Sequence, residues 1–280
     1  MQTLPQIKEI IVKWYKEIRF PSKYDEEFYE ALDKIYVDAN SDYASYYANL
    51  DLNEEDGKKN FLYWLYFCED LKKRYMEKGI PLKYLYDILE DMPVWLDIWS
   101  ELKGGLFFGE LGWFQPIFRM AIFKIGRLQF HITGSYMEVP EIGLHKGDNV
   151  LNLHIPARGP LYPEDCLASI KAAPAFFKAY FPEYSYEHMI CHSWLLGKNL
   201  DYMLKPGSNI LQFKDMFNIH KQKESDAIIN YAVGWKRNRE DAKNMTAVSG
   251  LQKELKTRVL AGETFYAGSG TIKKELLEGR

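Results

Sequence analysis

Three short stretches between Asn149 and Gln212 hold the residues best suited to chemistry. They are Leu153-His154-Ile155-Pro156-Ala157-Arg158-Gly159-Pro160-Leu161, Cys191-His192-Ser193-Trp194-Leu195-Leu196 and Ser208-Asn209-Ile210. The first two each close a strand-like run and open a helix-like one, which is where open α/β sheets bind ligands. A histidine at such a point can take a proton from an amine near neutral pH. His154 reads as that base, or as a turn residue bonded to a backbone carbonyl. His192 can meet His154 across neighbouring strands, where the pair could bind a metal or share a proton; in the other reading, His192 and Ser193 cap the next helix. No third ligand has convincing spacing, so no metal is expected.

Nucleophilic catalysis has weaker support. Neighbours on a strand point to opposite faces, so Cys191 and His192 do not form a thiolate–imidazole pair. Ile190 and Trp194 stand where a nucleophile elbow needs glycines. A Cys191- or Ser193-dependent acyl transferase or hydrolase is therefore the third choice. Arg127 and Gln129 alternate with Leu128 and Phe130, which puts the polar pair on one sheet face. That pair suits a carboxylate or amide of a substrate, or a solvated face. Asn209 can donate to a ligand carbonyl, although Pro206-Gly207 makes a turn the simpler reading. Gly268-x-Gly270 near the end looks like a phosphate loop only superficially, because no strand-then-helix context surrounds it.

These residues need elements to hold them. Residues 5–102 read as successive helices. Their apolar stripes are Ile7, Ile10, Ile11, Trp14 and Ile18, then Phe28, Leu32 and Ile35, then Phe61, Trp64, Cys68, Leu71 and Tyr75, then Leu85, Ile88, Leu89 and Met92. After Gly104-Gly105 the period changes. Strands are expected at Phe118–Phe123, Leu128–Ile132, Val150–Ile155, Tyr186–His192, Ile210–Ile219 and Ala227–Val233. Helices are expected from Pro163, at Leu195–Leu204 and at Val248–Leu260, with a loop-rich tail around Gly268 and Gly270. Pro174 implies a kink in the Pro163 helix or a shorter span.

Composition narrows the class. A hydrophobic fraction of 47% over 280 residues supports one large buried core or two smaller ones. A net charge of -3 gives no general case for nucleic acid or anionic membrane. Three cysteines, odd in number and far apart, argue against a disulfide framework. Lys8, Lys13 and Lys16 interrupt every early apolar run, and no stretch approaches the roughly 20 apolar residues of a membrane span. A cytoplasmic location is expected.

The order of strands and helices after Phe118, with His154-Ile155-Pro156, Gly159-Pro160-Leu161, Cys191-His192-Ser193-Trp194-Leu195-Leu196 and Ser208-Asn209-Ile210, resembles a bacterial acyltransferase family. That family pairs a helical N-acyltransferase N-terminal domain with a GNAT-like C-terminal domain. Gly109-Glu110-Leu111-Gly112-Trp113 and Arg127-Leu128-Gln129-Phe130 resemble further family segments. The resemblance implies an α+β chain: an all-helical domain over 1–109, then a GNAT-like mixed β-sheet flanked by helices over 110–280. It implies an acetyl-CoA or longer acyl-CoA donor and a small-molecule amine acceptor, with direct attack on the thioester. Ile155, Ala157, Arg158, Gly159 and Leu161 fall on the loop where GNAT enzymes hold the CoA pyrophosphate through backbone N–H groups. Pro160 departs from that pattern: it has no N–H, and the usual second glycine is missing. Glu138, in a loop, is the candidate for the glutamate base that many GNAT enzymes use, though nothing local sets it apart from other exposed glutamates, and Tyr202 falls where some GNAT enzymes keep a tyrosine acid. The catalytic set is thus His154, His192, Glu138 and Tyr202; the substrate-binding set is Arg127, Gln129, Ser193 and Asn209. The rival reading is a non-catalytic GNAT-like module that senses a ligand or binds a partner.

Overall fold

The computed structural model describes residues 3–34 and 56–277, so Ile35 of the predicted stripes lies outside the described residues. The chain divides into two compact units: Met1–Lys124 with Pro156–Arg158, and Ile125–Ile155 with Gly159–Arg280.

The first unit is helical: α1 (Leu4–Ile18), α2 (Asp25–Lys34), α3 (Gly57–Glu77), α4 (Leu82–Leu89), α5 (Asp91–Lys103) and α6 (Leu111–Phe118). The expected stripe on α3 is its buried face, with Phe61, Trp64, Cys68, Leu71 and Tyr75 all at 0% exposure. Asp56 starts α3 by accepting from the Lys59 N–H at 3.0 Å. Gly79 ends it in the left-handed region, where its N–H and that of Ile80 bond back to Met76 and Tyr75. Stacked and edge-on rings fill the core, among them Tyr15 on Phe28 at 3.8 Å and Trp64 on Phe118 at 4.5 Å. Burial raises the Cys68 thiol well above its ordinary range, which marks it as core.

The sheet has six strands: β1 (Ile122–Ile125), β2 (Leu128–Gly134), β3 (Asn149–His154), β4 (His188–Ser193), β5 (Phe217–Glu224) and β6 (Tyr266–Ile272). Their order across the sheet is β1-β2-β3-β4-β6-β5. β3 and β4 are parallel, while β2 on β3, β4 on β6 and β5 on β6 are antiparallel. The long helix α7 (Pro163–Tyr180) makes the crossover between the parallel strands and runs through Pro174. Five shorter helices follow: α8 (Leu200–Met203), α9 (Asn209–Lys214), α10 (Ala227–Ala232), α11 (Arg239–Asn244) and α12 (Gly250–Leu260). Leu200, Met203, Ile228, Ile229, Leu255, Val259 and Phe265 form their common core.

Several expected elements differ. Phe118 ends α6, and β1 starts only at Ile122. Residues 210–219 are not one strand: Ser208 caps α9, and β5 begins at Phe217. Ala227–Val233 is mostly helix α10, because burying Ile228 and Ile229 against α12 outweighs the strand preference of β-branched residues. Leu195–Leu204 is a single tight turn at Trp194–Leu196 followed by α8. The glycine-rich tail is β6, an interior strand of the sheet.

Candidate active site

Strand register fixes which side chains share a face. On one face, β2 sends Gln129 and His131, and β3 sends Val150, Asn152 and His154. The parallel register continues that face onto β4 through His188 and Ile190, hence to His192, and then to Ser269 and Thr271 of β6. The loop of residues 135–148 folds back over part of this face. It packs Met137, Val139 and Leu144 on Val150 and Ile190 and sets Tyr136 edge-on to His192, with ring centres 6.2 Å apart.

The parallel ladder runs from Val150–His188 to Asn152–Ile190. Beyond it, His154 pairs with Gln129 on β2, while His192 pairs with Ser269 on β6. The two central strands therefore lose their mutual pairing at their carboxyl ends, with a histidine on the same face of each. This is where an open sheet admits a ligand.

The histidines differ electrostatically. His154 lies beside His131, with ring centres 5.7 Å apart, and its Nε2 is 3.3 Å from Asn152 Nδ2. Burial, with a smaller contribution from His131, pushes His154 down to about 3. It is a neutral polar group at any physiological pH. His192 is exposed, and its Nδ1 lies 2.8 Å from Ser269 Oγ. Its value is lowered by partial desolvation and by the Lys223 charge.

The loop from Ile155 to Tyr162 joins β3 to α7. Arg127 holds it from beneath, donating from Nε to the Pro160 carbonyl at 2.8 Å and from Nη2 to the Gly159 carbonyl at 3.1 Å. Carbonyl and following N–H point oppositely across a trans peptide. Anchoring the Pro160 carbonyl thus turns the Leu161 N–H away from Arg127. Among the described residues, none accepts from the N–H groups of Ala157, Arg158, Gly159 or Leu161. Gly159 adopts φ +88, which glycine takes without strain. Arg158 is exposed, its guanidinium 3.9 Å from Asp97. The free Gly159 and Leu161 N–H groups and the start of an 18-residue helix suit a phosphate-bearing donor. Pro160 contributes no donor, and Glu164 and Asp165 occupy the first turn of α7, which weakens its pull on an anion.

The remaining expected residues are engaged elsewhere. Glu138 is exposed and closes its own loop, accepting from Lys146 N–H and meeting His145 Nδ1, both at 2.9 Å. The Tyr202 hydroxyl bonds Glu263 and accepts from Asn199 Nδ2 at 2.7 Å, under the Arg258 guanidinium. Ser193 Oγ accepts from Leu195 N–H at 3.1 Å and caps the turn after β4. Asn209 is the first residue of α9. Cys191 points to the opposite face, fully buried, its thiol pushed up to about 12. Burial and a raised thiol withdraw Cys191 from nucleophilic chemistry, while Ser193 Oγ serves the turn. Arg127 spends its guanidinium on the loop, while Gln129 lies opposite His154 at 1% exposure.

Sequence reasoning missed His131, Asn152 and Ser269. The first two follow from strand alternation around Gln129 and His154. Ser269 was hidden between two glycines.

The mixed sheet parts at the carboxyl ends of its parallel centre, and the loop after β3 keeps the Gly159 and Leu161 N–H groups free. Residues 2–120 match the N-acyltransferase N-terminal domain and residues 122–272 the GNAT-like C-terminal domain. The chain belongs to the acyltransferase family built from those two domains. It is similar to an acyltransferase in complex with CoA and 10C-teicoplanin, with TM-score 0.74 and 19% identity over 92% of this chain and 86% of that one. It is also similar to an acyltransferase bound to decanoyl-CoA and teicoplanin, with TM-score 0.74 and 19% identity over 95% and 88%. A third, in complex with decanoyl-CoA, has TM-score 0.67 and 23% identity over 96% and 78%. At these identities the likeness is one of fold. No curated protein matches the sequence. No described helix is long and apolar enough to cross a membrane.

Proposed function

We propose that the chain transfers an acyl group from acyl-CoA to an amine by direct attack, with His192 as general base. One observation carries this reading: His192, an exposed and neutral imidazole, stands where the parallel strands part. The amine nitrogen bonds to the thioester carbon, its proton passes to His192 Nε2, and the C–S bond breaks to release CoA. Backbone N–H groups at the ends of β3 and β4 would stabilise the developing oxyanion. His154 is the poorer base, because burial disfavours its charged form too strongly to hold that proton. It belongs instead to a neutral polar wall with Gln129, His131 and Asn152. The similar acyltransferases were captured with decanoyl-CoA, so medium-chain acyl-CoA is the first donor to try.

The test joins native mass spectrometry with thiol release. An acyl-CoA adduct and amine-dependent release of CoA are expected. Binding without amine-dependent release favours a ligand-sensing module, a reading that Pro160 and the acidic start of α7 support. No binding of any acyl-CoA, beside a control acetyltransferase that binds it, removes CoA as donor.

Two expectations follow. Decanoyl-CoA at 100 times its Kd stabilises the fold by about 2.7 kcal/mol, visible as a rise in Tm. Arg127→Met releases the loop carbonyls. Losing charged hydrogen bonds worth about 1.5 kcal/mol raises the acyl-CoA Kd roughly tenfold, with kcat little changed, as titration and steady-state kinetics would read. An unchanged Kd would separate Arg127 from donor binding.

A further inference from the structure

We propose that Ser269 is a positioning residue that holds His192 in the Nδ1-protonated tautomer, leaving the Nε2 lone pair to accept the proton; this rests on His192 being the base. The two residues are register partners on β4 and β6, and Ser269 Oγ lies 2.8 Å from His192 Nδ1. Which imidazole nitrogen carries the proton is set by the partner of the other. A serine oxygen accepting from Nδ1–H leaves Nε2 unprotonated.

The seat is rigid because of what flanks it. A Cβ on Gly268 would stand 2.3 Å from the Leu196 carbonyl oxygen, and one on Gly270 would stand 2.6 Å from that of Asn218. Both glycines face away from His192, and there the turn after β4 and strand β5 press directly on the β6 backbone. Ser269 is the side chain between them that turns toward His192, and it is only 8% exposed. The irregular register of β5 between Ile219 and Lys221 falls opposite this triplet. Gly268-Ser269-Gly270 is thus a strand thinned on one face by its neighbours and armed on the other.

The groups facing His192 fit an uncharged seat. Tyr136 comes from the loop after β2, and burial raises its phenol, so it stays protonated. Lys223 comes from β5 and disfavours the imidazolium. His154, at the end of the neighbouring strand β3, is neutral. As the acceptor from Nδ1–H, Ser269 is neutral and would orient the ring without a carboxylate's pull on its basicity.

The experiment is nitrogen-15 NMR of the imidazole in the full chain, with steady-state kinetics, for wild type, Ser269→Ala and Ser269→Thr. The wild type is expected as the Nδ1–H tautomer. Ser269→Ala moves the population toward Nε2–H and lowers kcat at least about tenfold, while the KM for acyl-CoA holds. Ser269→Thr, which keeps the hydroxyl, restores both. A wild-type ring in the Nε2–H form overturns the proposal, as does an alanine variant with unchanged tautomer and kcat. A tautomer that shifts while kcat does not overturns His192 as the base and leaves the Ser269 seat standing.

Discussion

His192→Ala lowers amine-dependent acyl transfer by a factor of about 10²–10⁴, the usual contribution of a positioned base. The acyl-CoA Kd, read by titration, stays within about twofold, because the donor-loop N–H groups do not depend on the His192 ring. The acidic limb of kcat/KM carries the same information. His192 is lowered below the ordinary histidine value, so it remains neutral and able to accept a proton as pH falls through that value. The limb therefore lies on the acid side of an ordinary histidine. Lys223→Gln removes one cause of the lowering and moves the limb upward. His154→Ala serves as the contrast. Burial already keeps that ring uncharged across the working range, so its loss leaves the limb in place. A His192→Ala enzyme with near-normal turnover, or a limb that vanishes with His154 instead, would assign the proton to another group.

How far this site could be read from the chain depended on how local its determinants are. The helical half was legible because the α3 stripe repeats at helical spacing and every member of it is buried. The ends of β3 and β4 were legible because alternation and the following turns sit in the same few residues. His131 was within reach, since alternation within Leu128–Ile132 puts it on the same face as Gln129. The stretch 210–219 is split because the Ser208 cap starts a helix before β5, and 227–233 is a helix because packing of Ile228 and Ile229 with Leu255 and Val259 outweighs the strand preference of adjacent isoleucines. That packing is not written locally. The roles of Glu138 and Tyr202 were carried by resemblance alone, and their hydrogen bonds to His145 and Glu263 are tertiary facts. Ser269 was the hardest, since two nearby glycines signal a loop unless the backbones pressing on them are known.

Those backbones lead to the second large effect. Gly268→Ala is expected to destabilise the chain by about 1–3 kcal/mol, the usual cost of forcing atoms into a packed interior. The added methyl would sit 2.3 Å from the Leu196 oxygen and 2.8 Å from the Leu196 carbonyl carbon, both backbone atoms that no rotamer change can move. The same contact is closed from the other side, where a Cβ on Gly197 would lie 2.1 Å from the Tyr266 oxygen. The turn after β4 and the β6 strand are therefore in mutual backbone contact, and relief requires one of them to shift. Gly250→Ala is the control: nothing lies within 4 Å of its Cβ position, and it opens α12 behind the Ser249 cap. There alanine is expected to be neutral or to stabilise by about 0.4–1 kcal/mol. Urea unfolding reads both, as a lowered midpoint for Gly268→Ala and an unchanged or raised one for Gly250→Ala. A Gly268→Ala chain as stable as wild type would mean that β6 yields at no cost, and a strand that yields so readily could not hold Ser269 firmly against His192. If stability falls as expected, the same shift carries Ser269 with it. Residual enzyme assayed well below its melting temperature should then lose kcat, while a destabilised chain altered only in the helical unit should not.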